Sequence, residues 1–208
     1  MSGRIATPED VAEGAEWLAA NCPRMAHAYG LTGPLPLRRN PDGFAQLLRA
    51  IVSQQVSVAS ARAIWGRLQA AGMVVPETIL AAQIDDLRAL GLSRQKATYA
   101  HALADAGIDF EALRTAPTQQ VVDRLVQVKG VGVWTAEIYA MFSLGHADVF
   151  APGDLALQEA ARLLYSLPER PKERALRDMA QRWSPWRAVA ARLLWEYYHI
   201  EKQREGTL

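Results

Sequence analysis

Apolar residues recur three and four apart along almost the whole chain, whereas alternation of apolar and polar residues never lasts long enough to build a series of strands. That pattern restricts the chain to an all-α fold. The run FAQLLRAIV puts Phe44, Leu47, Leu48, Ile51 and Val52 on one helical face. Thr7-Pro8 followed by Asp10 reads as a helix start, Ser57 as the cap of a helix carrying Ala61, Ile64, Trp65 and Leu68, and Gly72 as its end. Further starts are expected at Ser93 and at Thr118 after Pro117. Ser184-Pro185 opens a last helix with Trp186, Val189, Ala190, Leu193, Leu194 and Tyr197 in phase. The Pro-rich stretch LTGPLPLRRNPDG, Leu31 to Gly43, is the best internal boundary, and no repeat period or low-complexity linker is detectable.

With 208 residues, half of them hydrophobic, the chain can bury a core for one or two closely packed domains. No apolar run approaches a membrane span, and the start MSGRIATPED lacks a secretory apolar stretch, so a cytoplasmic protein with no membrane partner is expected. A single cysteine, Cys22, excludes an intramolecular disulfide, a four-thiolate zinc site and a cysteine-ligated iron-sulfur cluster, and is read as a packing residue. The four histidines, His27, His101, His146 and His199, have no histidine or cysteine partner at metal-ligand spacing. A net charge of +1 advertises no strongly basic surface, so any nucleic-acid binding has to be local.

The stretch LVQVKGVGVWTAEIYAMF, Leu125 to Phe142, offers such a local device. Val121, Val122, Leu125, Val126 and Val128 form one apolar stripe before the two glycines, and Trp134, Ile138, Met141 and Phe142 form another after them, so two helices meet at a very short connection. Gly130 and Gly132 can take positive φ and carry no side chain, which permits a tight turn whose N–H groups come close to another molecule. The helix N-terminus behind the turn is a phosphate site by its own dipole and amides, and Lys129 adds one cation there. An ordinary αα-corner explains the same glycines. In FAPGDLALQEAARLL, Asp154 follows Pro-Gly at the start of another helix, where it reads either as an N-cap or as a functional carboxylate.

Hairpin, Pro-Gly-Asp and helix in succession resemble the helix-hairpin-helix DNA glycosylases with the Gly-Pro-Asp type of active site, and most closely their alkylated-base branch, the 3-methyladenine DNA glycosylase II type. The blocks AIVSQQVSVASARAIW, Ala50 to Trp65, and RWSPWRAVAARLLW, Arg182 to Trp195, extend the likeness to roughly residues 40–200. The resemblance implies one compact glycosylase domain of two closely packed helical subdomains. One covers about 40–145 and ends in the hairpin; the other is formed by 1–40 and 146–208, with the active site in the cleft between them. It also implies the compact form without an N-terminal β domain.

Residue by residue, the resemblance makes Asp154 the catalytic carboxylate, stabilising an oxocarbenium-like transition state and orienting the attacking water. Trp134 stands where relatives that also cut the DNA backbone carry a Schiff-base lysine, which implies a monofunctional enzyme that leaves an abasic site. A structural core tryptophan is the alternative, but an indole face suits a cationic alkylated base better than any aliphatic residue. Gln55 matches the residue that fills the gap left by the extruded nucleotide, supported by Gln54 and Ser57, although a polar turn capped by Ser57 accounts for the same letters. Trp186 matches a pocket aromatic and is as well explained by packing. Trp17, Trp65 and Trp195 are read as core. No cofactor is implied beyond Na+ or K+ held on bound DNA by the carbonyls of Val126, Val128 and Val131.

Two departures stand out. Lys129 replaces the usual proline before the first hairpin glycine, and Ile138 replaces an aromatic, implying a base pocket of Trp134, Ile138 and Trp186 that is less closed by rings. The expected function is excision of 3-methyladenine- or 7-methylguanine-class bases from double-stranded DNA in base excision repair by a monomer. Lys129, Gly130, Val131 and Gly132 would grip the backbone. The alternatives are a bifunctional glycosylase/lyase for oxidised bases and a non-catalytic helix-hairpin-helix DNA-binding module.

Overall fold

A computed structural model describes residues 3–205. Among these the chain forms thirteen α-helices and a short 3-10 turn, Ala180–Trp183, with no strand beyond an isolated bridge between Arg4 and His146. Two compact units are present: one made of residues 40–139, the other of residues 3–39 with 140–205.

The 40–139 unit holds α3 (Phe44–Ser53), α4 (Val58–Ala70), α5 (Pro76–Ala81), α6 (Ile84–Ala89), α7 (Arg94–Asp105), α8 (Phe110–Thr115), α9 (Thr118–Val126) and the start of α10 (Val133–Phe142). Polar caps set several of these starts. Ser57 Oγ accepts from Ser60 N at 3.2 Å, Ser93 Oγ from Lys96 N at 3.2 Å and Asp109 Oδ1 from Ala112 N at 2.9 Å. The apolar face of α3 is buried as its spacing requires, and α7 packs against α3, α5 and α6 with Ala97 and Ala100 at its contact surface. Small residues there let the helices approach closely. Gly72 takes φ +68° just past the end of α4.

The other unit holds α1 (Pro8–Asn21), α2 (Pro23–Thr32), the end of α10, α11 (Leu155–Tyr165), α12 (Glu173–Met179) and α13 (Arg187–Glu205). Thr7 and Asp10 form a reciprocal capping box at α1. The long α13 packs on α1, α2 and α11 and buries Val189, Leu193 and Leu194 completely. It starts at Arg187, two residues beyond Pro185, because Trp186 N still turns back to Trp183 O at 2.8 Å. At the α1 contact a Cβ on Gly14 would lie 2.6 Å from Val189 Cγ2 and 2.8 Å from Trp186 Cε3, so glycine there allows the two helices to meet.

Candidate active site

The hairpin is the connection between α9 and α10. Helix α9 closes at Val126, Val128 N bonds to Leu125 O at 3.1 Å, and Val131 N bonds to Val128 O at 3.0 Å. Val128 and Val131 bury their side chains and anchor the turn, leaving Lys129 and Gly132 exposed. Gly130 takes φ +97°, and a Cβ there would sit 2.4 Å from Cγ of Tyr99. Gly132 behaves differently from expectation. It has no positive φ, and no heavy atom lies within 4 Å of where its Cβ would be. Nothing inside the protein therefore requires glycine at 132, whereas Gly130 is required by the turn and by Tyr99.

The segment between α3 and α4 carries the expected probe. Gln55 is exposed and sits at φ +54°, a left-handed conformation unusual for a residue with a side chain and the kind of strain that marks functional turns. Gln54 Nε2 donates to Gly130 O at 3.0 Å, and Lys96 Nζ donates to Val52 O at 2.7 Å at the end of α3. Ser57 caps α4, as its position implies, while Val56 and Val58 on either side of it are exposed. Gln54, Gln55, Lys96, Tyr99, Gly130 and Gly132 line one polar cleft of about 400 Å³, so the probe segment and the hairpin share a surface within this unit.

Trp134 and Ile138 lie one turn apart on α10 and so share a face. Trp134 is 46 % exposed, which removes the core explanation for it, and Ile138 is half-buried.

Asp154 is the N-cap of α11. Its Oδ1 accepts from Ala156 N at 2.9 Å, from Leu157 N at 3.0 Å and from Trp195 Nε1 at 3.2 Å. The Pro-Gly-Asp turn is itself secured: Asp154 N bonds to Ala151 O at 3.0 Å, and the buried Gln158 reaches back from Nε2 to Pro152 O at 2.8 Å. Trp195 was expected in the core. It is instead half-buried, stacked on Phe142 with ring centroids 5.7 Å apart, and its indole N–H is spent on the carboxylate. Helical phase alone could not reveal this, because Trp195 occupies the edge of a stripe whose centre is core, and its partner lies 41 residues away in the chain. Trp186 is 5 % exposed and packed against Gly14 of α1. Trp17 and Trp65 are half-buried.

With this geometry in place, the sequence matches the family described as HhH-GPD superfamily base excision DNA repair proteins over residues 48–185. The chain belongs to that superfamily. Among relatives, it is 29 % identical over 188 residues to DNA-3-methyladenine glycosylase 1 of Schizosaccharomyces pombe, covering 86 % of this chain and 82 % of the relative. The crystal structure of a DNA-3-methyladenine glycosidase from Bacillus halodurans is similar at 32 % identity and TM-score 0.82, covering 89 % of each chain. The 3-methyladenine DNA glycosylase Mag1 of the same yeast, solved in complex with abasic DNA, is similar at 27 % identity and TM-score 0.77, over 88 % of this chain and 95 % of that one. Among the described residues, no group of three or more His, Cys, Asp and Glu side chains could hold a metal ion, and no helix is long and apolar enough to cross a membrane.

Proposed function

We propose that this chain is a monofunctional DNA glycosylase that turns an alkylated base out of double-stranded DNA and hydrolyses the bond joining it to deoxyribose, leaving an abasic site. The observation that carries this reading is the setting of Asp154, in a superfamily of base excision repair proteins: a carboxylate at a helix N-terminus with one oxygen held by two backbone amides and an indole N–H. The names of the related glycosylases, and the abasic DNA bound in one similar structure, support alkylated bases as the substrate and DNA as the partner.

The chemistry follows from the charge that develops. As the C1′–N bond breaks, the electron pair leaves with the base, and the sugar becomes oxocarbenium-like. A carboxylate held rigidly beside that centre stabilises it without reorganising. Water then bonds to C1′ and releases its proton to solvent. A base alkylated on a ring nitrogen is cationic and departs neutral, so one positioned carboxylate suffices. Gln55 fills the vacated space in the duplex, and Lys129 with the amides of the hairpin hold the backbone phosphates. The carbonyls of Val126, Val128 and Val131 are hard oxygen donors of the kind that hold Na+ or K+. Such a cation would add positive charge against a phosphate. Trp134 and Ile138 present the contact surface for the base.

Replacing Asp154 with Asn tests the reading. The variant should bind lesion DNA nearly as wild type does and release bases at least about 10²-fold more slowly in single turnover. Near-wild-type release by a folded Asp154→Asn protein overturns the mechanism.

A further inference from the structure

Arg192 is a charged side chain with no exposed surface, and among the described residues its guanidinium bonds to backbone carbonyls and not to a carboxylate. Its donors go to backbone carbonyls: Nε and Nη2 to Leu37 O at 3.2 and 3.1 Å, and Nη1 to Ala188 O at 2.8 Å. Its Cζ lies over the ring of Phe142, 4.8 Å from the centroid. Burial, with the nearby Arg38 and Arg39, pulls its pKa down to about 10, so it still carries its charge at neutral pH. A buried charge of this kind is costly and needs a return. Hydrophobic packing alone would be served better by leucine or methionine at the same position.

The return lies along one line of contacts. Phe142 carries Arg192 at one contact and stacks on Trp195 at another, 5.7 Å between centroids at 32°. Trp195 then donates its indole N–H to Oδ1 of Asp154 at 3.2 Å. Arg192 and Trp195 stand three apart on α13, on neighbouring positions of one helical face. A desolvated cation over a phenyl ring resists displacement of that ring, because sliding off exposes charge to apolar surroundings with no replacement partner. The ring in turn fixes the plane of the indole, and the indole fixes the carboxylate oxygen.

We infer that Arg192 is a positioning residue for Asp154, acting through Phe142 and Trp195: a buried cation that locks the aromatic pair whose N–H orients the carboxylate. This rests on Asp154 being the carboxylate that acts on the sugar. It adds that the rate of bond cleavage depends on a residue that touches neither DNA nor base.

Arg192→Gln tests it, since glutamine keeps a donor for the carbonyls but removes the charge over Phe142. Single-turnover base release from methylated duplex should fall about 5- to 20-fold, in the range by which a small misplacement of a catalytic group slows chemistry, while affinity for abasic-site DNA stays unchanged. A residue serving only stability would change melting temperature and active fraction but not the rate per active enzyme, which titration against tightly bound abasic DNA measures. In a Trp195→Phe background, which lacks the N–H, Arg192→Gln should add less than about 2-fold, because the relay is already cut. If Arg192→Gln does not fold, Phe142→Leu breaks the same line and should give the same fall and the same lack of additivity. A wild-type rate per active enzyme, or an effect that multiplies in full with Trp195→Phe, overturns the relay. Failure of Asp154→Asn to lose activity overturns the underlying mechanism instead, so the two failures are distinct.

Discussion

Gln54 Nε2 donates to Gly130 O at 3.0 Å, fastening the segment that carries Gln55 to the turn of the helix-hairpin-helix. The two candidate DNA-gripping elements are therefore tied together on one surface. Gln54→Ala should lower melting temperature only modestly, because it removes a single part-buried hydrogen bond. It should slow base release from duplex DNA by about 2- to 10-fold, the value of one hydrogen bond. An unchanged rate would mean that the probe is held by Ser57 and the end of α3 alone.

The hairpin glycines should separate in two different assays. Alanine at 130 must adopt φ +97° and push against Tyr99, so it should destabilise the fold by about 1–3 kcal/mol in chemical denaturation. Alanine at 132 meets open space and an ordinary backbone, so it should fold as wild type does. If an amide-phosphate contact needs close approach there, its affinity for undamaged duplex should drop about tenfold. A Gly132→Ala protein that binds as tightly as wild type removes that contact from the reading.

These glycines also show what was legible in the sequence. The hairpin and the Pro-Gly-Asp turn are local patterns, because a tight connection and a helix start each impose residue types on consecutive positions. The sequence therefore located Gly130, Asp154 and the caps at Thr7, Ser57 and Ser93. It could not tell Gly130 from Gly132, since the requirement at 130 comes from Tyr99, 31 residues earlier. Nor could it find Trp195 and Arg192, whose roles depend on contacts to Asp154 and Phe142 that are set by how α13 lies on α11 and on the end of α10. Helical phase told apart faces, not the few side chains at the margin of a face that turn toward a functional group.

In the proposed reading, Trp134 stands where a lyase would need an amine, and an indole supplies none. Borohydride should trap no covalent adduct with lesion-containing DNA, and strands should break only after alkali exposes the abasic site. A stable adduct on denaturing gels would demand a different lysine and a bifunctional mechanism.

His146 provides a pH signature of the fold. Its side chain is buried, and burial together with the positive charge of Arg4 pulls its pKa down to about 4. An unfolded histidine titrates near 6.5, so between about 6.5 and 4 the unfolded chain binds a proton that the folded one refuses. Stability contributed by the neutral imidazole is complete above that window and is lost as pH falls through it. By pH 5 the loss should approach about 2 kcal/mol. Urea titrations of wild type and His146→Gln at pH 7 and pH 5 should show a smaller drop in the variant, and parallel drops would place the acid sensitivity elsewhere.

The final prediction concerns how a charged lesion is told from a neutral one. A base turned out of the helix loses its stacking partners, and an aromatic surface that replaces them is worth about 1–3 kcal/mol. A cationic alkyl-purine gains a further cation-π attraction of roughly 0.5–2 kcal/mol on an indole face. Trp134, 46 % exposed on α10, offers such a face, whereas its neighbour one turn on, Ile138, adds only apolar contact. Trp134→Leu should therefore lose about 2- to 30-fold more activity on 7-methylguanine or 3-methyladenine than on neutral hypoxanthine. Exposure makes the experiment clean, because truncating a half-exposed tryptophan leaves no large internal cavity and the variant should stay folded. Both substrates are compared in single turnover with one preparation, so any inactive fraction cancels in the ratio. Equal losses on the charged and neutral bases would reduce Trp134 to a stacking surface, and selectivity for alkylated bases would then have to come from the intrinsic lability of their glycosidic bonds.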